Sequence, residues 1–120
     1  MREAILAVLL AGMAIAGSTE AARADTMRVT GYTCDPANGQ PFCGTTADGT
    51  QVGPGIAACP SWMAFGTIVR VWDNKAPRIL GDYVCHDRGP QWIDVWLPSL
   101  AECFAITGTY TVDVVYTPPQ

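Results

Sequence analysis

Tyr83-Val84-Cys85-His86-Asp87-Arg88-Gly89-Pro90-Gln91-Trp92-Ile93-Asp94-Val95-Trp96 reads as two strands broken by a turn. Tyr, Val, Ile and Trp suit a pleated, half-buried surface. Gly89-Pro90 interrupts them, because proline has no N–H to give to a strand ladder. The reading predicts strands over Tyr83–Asp87 and Trp92–Trp96. Side-chain alternation then puts Tyr83, Cys85 and Asp87 on one face and His86, the single histidine, on the other as a packing or surface residue. Asp94, an acid between Ile93 and Val95, needs a hydrogen-bonding or charged partner.

Outward from this segment the pattern repeats. Further strands are predicted over Arg28–Tyr32, Gly55–Cys59, Thr67–Trp72 and Tyr110–Tyr116, with turns at Asp48-Gly49 and Asp73-Asn74. One helix is expected from about Leu100 to Thr107: Ser99 and Glu102 form a capping box, Gly108 closes the segment, and Cys103 lies inside. Many short strands with one late helix indicate a mainly β fold, a barrel with a helical insertion.

The first 24 residues read as a cleaved signal peptide. Arg2 precedes an apolar run from Ala4 to Gly17, and Ala22-Arg23-Ala24 has the small-x-small pattern of a signal-peptidase site. The competing reading is an uncleaved anchor, for which the run is short. No cysteine lies just after the run, where a lipid would be attached. One domain, residues 25–120, is left for export to the periplasm or the extracellular space, with association to an outer membrane left open. It keeps the net charge of −4, which argues against nucleic acid.

All five cysteines lie in that domain. In an exported chain of this size they read as disulfides, and the short Pro/Gly-rich span from Cys34 to Cys43 favours that pair. Cys59, Cys85 and Cys103 allow three pairings. No C-x-x-C spacing accompanies the single histidine, so no metal and no cofactor is expected.

Three segments share a further pattern: Thr30-Gly31-Tyr32-Thr33 with Thr46-Ala47-Asp48-Gly49-Thr50, Val52 and Gly55-Ile56-Ala57; Phe65-Gly66-Thr67-Ile68-Val69; and His86-Asp87-Arg88-Gly89-Pro90 with Ile93-Asp94-Val95-Trp96. Together they resemble the three-aspartate ("3D") domain of stationary-phase survival proteins and of the C-terminus of membrane-bound lytic transglycosylase A, from about Val29 to Val115. The Asp-Arg-Gly-Pro piece is also similar to rare lipoprotein A. The resemblance implies a six-stranded double-psi β-barrel, as in barwin and expansins. It also implies a Cys59–Cys85 bridge beside the site. The chain departs from the family at the first aspartate, where Cys59 stands.

The function implied is peptidoglycan lytic transglycosylation by a monomeric domain acting on glycan strands. One carboxyl first donates a proton to the glycosidic oxygen and then accepts one as the sugar's C6 hydroxyl closes a 1,6-anhydro ring. Asp87 is the expected acid and base, with Asp94 in support; the alternatives are a turn aspartate satisfied by backbone amides and a structural Asp94. Asp48, Thr46 and Arg88 are expected to contact substrate, and Trp62 and Trp92 to stack on sugar rings unless they pack in the core. Two other functions compete: a non-catalytic wall-binding module in the manner of expansins, and a disulfide-rich secreted inhibitor or toxin.

Overall fold

The computed structural model describes residues 24–75 and 78–119; the signal-peptide segment lies outside them, apart from Ala24. The elements are β1 (Ala24–Tyr32), β2 (Ile56–Cys59), β3 (Ile68–Trp72), β4 (Ile79–Arg88), β5 (Ile93–Trp96), α1 (Leu100–Ile106) and β6 (Gly108–Tyr116), with one 3-10 turn at Pro36–Asn38. The strands close into a mixed barrel in the order β1-β5-β2-β4-β3-β6. β1 runs parallel to β5 and β2 parallel to β4; the other neighbours are antiparallel. Closure leaves no open sheet edge.

Alternation explains the interior. Val29, Val69, Val71, Ile93 and Val95 are fully buried, while Arg70 and Asp94 between them turn to the outer wall. Each such Val or Ile contributes about 1.5–3 kcal/mol by leaving water. β2 is buried at all four positions: Ala57 and Cys59 pack in the core, and Gly89 lies close over Ala58 on the outer side. The Cys59–Cys85 disulfide joins β2 to β4 within this core, and Cys34–Cys43 closes the loop after β1. Cys103 is a free buried thiol on α1, packed on Gly31, where a Cβ would come within 2.8 Å of its Cα.

Each predicted strand is present, and the differences lie at the ends. β1 begins at Ala24 because its first six residues pair with Asp113–Gly108 of β6. β4 begins at Ile79 because its start pairs with Trp72 and Val71 of β3. The N-cap forms as expected, with Ser99 Oγ accepting from the Glu102 amide at 3.2 Å, while the Glu102 carboxylate accepts from the Ser99 hydroxyl. The helix end needs correction: Thr107 turns to an extended conformation, its hydroxyl donates to the Cys103 carbonyl at 2.8 Å, and Gly108 is the first residue of β6 rather than a helix-closing glycine.

A second correction decides the site. The register of β2 against β4 runs Ala57 with Cys85 and then Ala58 with Asp87, so β4 carries a bulge with His86 as its extra residue. A bulge breaks alternation and re-aims the residues after it. Cys85 faces the core opposite Ala57, whereas Asp87 falls beside Ala58 on the outer wall. Tyr83, Cys85 and Asp87 therefore do not share a face.

Candidate functional site

Ala58 has two acidic neighbours in register, Asp87 across β4 and Asp94 across β5. Their backbones stand two strand spacings apart, roughly 10 Å. Both side chains are half-buried on the outer wall.

Asp87 is held from three directions. Its Oδ1 accepts from the amides of Ala47 (3.0 Å) and Arg88 (2.9 Å), and the Tyr32 hydroxyl donates to its Oδ2 at 3.4 Å. Tyr32 ends β1, so its ring passes two intervening strands to reach β4. Burial, then the charges of Asp87 and Asp94, push the Tyr32 phenol far above its ordinary range, so the hydroxyl keeps its proton and acts as a donor.

Asp94 receives a hydrogen bond from Thr30 Oγ1 at 2.8 Å, and Thr30 Oγ1 in turn accepts from Trp92 Nε1 at 2.9 Å. Burial raises the proton affinity of Asp94; the Thr30 hydroxyl opposes this, and the charge of Asp87 adds to it. This supplies the partner that an acid inside an apolar strand requires.

The predicted turn meets the same wall. Gly49 has φ of 90°. Asp48 Oδ1 accepts from the Thr46 hydroxyl (2.9 Å) and the Thr50 amide (3.1 Å), while its Oδ2 pairs with His86 Nδ1 at 2.6 Å. Burial would raise the Asp48 carboxyl, but the bonds from His86, Thr50 and Thr46 outweigh it and hold the group at about 2. The Asp48 amide also donates to the His86 carbonyl. His86 and Asp87, adjacent on the bulge, thus clamp residues 46–50 against β4. The clamp is invisible to strand alternation, which gave His86 no partner.

The structure brings together Asp87, Asp94, Asp48, Thr46 and, through Thr30, Trp92. It adds Tyr32, Thr30 and His86. Tyr32 and Thr30 stand in the first segment of the resemblance, so their position was legible though their role was not.

Arg88 and Trp62 belong to a neighbouring loop. Arg88 Nη1 donates to the carbonyls of Met63 (2.8 Å) and Pro60 (3.5 Å), and its guanidinium lies 3.9 Å over the Phe65 ring. It fixes that loop and forms no ion pair with an acid among the described residues. Trp62 is 61 % exposed on the loop, whereas the Trp92 ring is covered by Arg28 at 4.6 Å. Both expected disulfides, Cys34–Cys43 and Cys59–Cys85, are present.

Comparison of the chain with protein-family models, with curated proteins and with solved structures found no match.

Proposed function

We propose that the outer-wall carboxylates cleave the glycan strands of peptidoglycan by lytic transglycosylation, with Asp87 as acid and base. The observation that supports this reading is the unequal use of the two Asp87 oxygens. Oδ1 is occupied by two main-chain amides, which fixes the orientation of the group, and Oδ2 keeps one long contact from Tyr32. An oriented carboxyl with one oxygen held by a single long bond suits proton transfer to a single position.

In the reaction, protonated Asp87 gives its proton to the glycosidic oxygen and the C1–O bond breaks. The C6 hydroxyl of the same sugar adds to C1, and its proton returns to Asp87. No water is consumed, so one carboxyl is enough where ordinary hydrolysis uses two. Asp94, Thr30 and Tyr32 hold the polar wall behind it, and exposed Trp62 offers a ring face to a sugar. Cys59, at the position of the family's first aspartate, is committed to its disulfide, so the chemistry rests on two aspartates. The two disulfides are consistent with an oxidising, exported location, and the periplasm or the extracellular space fits that reading.

Purified protein incubated with peptidoglycan should release 1,6-anhydro muropeptides detectable by mass spectrometry. Asp87→Asn should lower the rate about 10²–10⁴-fold. New reducing ends would instead indicate a hydrolase, and full activity in Asp87→Asn would remove the assignment.

One observation favours a second reading, a non-catalytic wall-binding module. Both partners of Asp87 Oδ1 are main-chain amides, as in a structural aspartate. Sedimentation with wall material in the absence of any cleavage product would select this reading.

A further inference from the structure

Beside the Ile79 end of β4 lies an open cavity of about 530 Å³, bordered by Asp73–Lys75 and Arg78 on one side and by α1 on the other. That is the size range of small-molecule sites. Roughly 23 Å of strand separates Leu80, on its wall, from Asp87, at about 3.3 Å per residue. Its floor is apolar: Tyr83, Leu97, Ile106 and Tyr110 line it and also pack against the core. Two glycines shape this floor. A Cβ on Gly81 would come within 2.7 Å of the Tyr83 hydroxyl, and one on Gly108 within 3.4 Å of the Tyr110 ring, so both rings lie close along the strands.

The rim is charged, and its charges differ in how far they are committed. Asp73 orders the turn by accepting from the Lys75 amide (2.9 Å) and from Arg78 Nε (2.8 Å), and Asn74 donates to the Thr109 carbonyl at the start of β6. Asp73 and Asn74 are thereby held in place, yet the Lys75 ammonium makes no ion pair among the described residues. Among the described residues the Glu102 carboxylate, on the helix side, is met by the Ser99 hydroxyl at the helix start and by no cation. A cation and an anion that make no salt bridge among the described residues thus border one apolar floor, presented by two different elements.

We propose that this cavity binds a short peptide with free ends, its carboxylate toward Lys75, its ammonium toward Glu102, and an apolar side chain on the tyrosine floor. Only a ligand with both charges and an apolar body matches all three surfaces. The site is independent of the glycan-cleavage reading and shares no residue with it.

The test titrates ¹⁵N-labelled protein, with both disulfides formed, with the tripeptide Ala-Leu-Ala. Amide shifts are expected at Leu80, Tyr83, Leu97, Ile106 and Tyr110, and none at Ala47, Asp87 or Asp94. Amidating the peptide's C-terminus or acetylating its N-terminus should each weaken binding roughly two- to fivefold, the scale of a partly exposed ion pair. Lys75→Gln should abolish the difference between acid and amide peptides, and Glu102→Gln that between free and acetylated ones. No shift at millimolar peptide, or equal binding of free and blocked peptides, would overturn the proposal. Because the blocked peptides probe the native protein, a variant that failed to fold would not spoil the test.

Discussion

At the Arg88 end of β4, His86, Asp87, Asp48, Tyr32 and the main chain of the Thr46–Thr50 turn are bonded to one another. At the Ile79 end, Lys75 and Glu102 face a cavity and make no salt bridge among the described residues. The first arrangement fixes direction, which proton transfer requires; the second keeps charge available, which ligand capture requires. One strand carries both because a bulge at His86 turns Asp87 to the outer wall while Tyr83 and Cys85 stay inside. The contrast implies that substitutions at the bonded end alter stability, and that those at the open end do not.

The largest effect is expected at the disulfide beneath the bonded end. Replacing Cys59 and Cys85 together by alanine should cost about 2–5 kcal/mol, read as a lower midpoint in guanidinium unfolding. Both cysteines are fully buried, so the loss combines a cross-link with core packing. The same change at Cys34 and Cys43, on a loop with a sequence separation of 9, should cost less. Equal losses would mean that core packing around the inner bridge contributes nothing.

A smaller effect follows at Asp87 itself. Asp87→Ala strands the amides of Ala47 and Arg88 and should cost about 1–3 kcal/mol, with faster amide exchange across residues 46–50. Asp87→Asn keeps an oxygen acceptor and should lose less. Lys75→Gln, at the open end, should stay within about 0.5 kcal/mol of the native protein. If Asp87→Ala were as mild as Lys75→Gln, the bonded end would not be the fixed one.

How much of this could be read beforehand depends on what kind of signal each residue carries. β-Branched and aromatic runs located six strands, because burial selects them locally. Ser99 and Glu102 located the helix for the same reason, since a capping box lies within four residues. The outward turn of Asp87 was not legible, because it depends on one extra residue in β4 measured against β2, and a bulge leaves no mark in either strand alone. The Asp48–His86 clamp was hidden likewise, since its members are 38 residues apart. The helix end misled because glycine is a frequent helix stop, yet here the start of β6 claims Gly108 for pairing with Val29.

The smallest effects come from two carboxyls of the bonded end that should respond to pH in opposite directions. Asp48 is held at about 2 against an ordinary value of 3.8, so its ionised form belongs to the folded state. Its contribution is fully present above pH 3.8 and is lost as pH falls toward 2. Asp48→Asn should therefore be less stable than the native protein near neutrality, by less than about 1 kcal/mol for so accessible a group, and should converge with it in acid. Asp94 is raised instead, chiefly by burial, so its protonated form belongs to the folded state. No penalty exists below pH 3.8; one accrues as pH rises through the folded value, when the buried group must ionise. Asp94→Asn keeps an acceptor for Thr30 and avoids that ionisation, so it should match the native protein in acid and gain on it as pH rises. Urea unfolding midpoints of the three proteins between pH 2 and 8 would display the two trends. Parallel curves for the two variants would mean that Asp48 and Asp94 share one environment, against a geometry that gives one a histidine and an amide and the other a single hydroxyl in a half-buried wall.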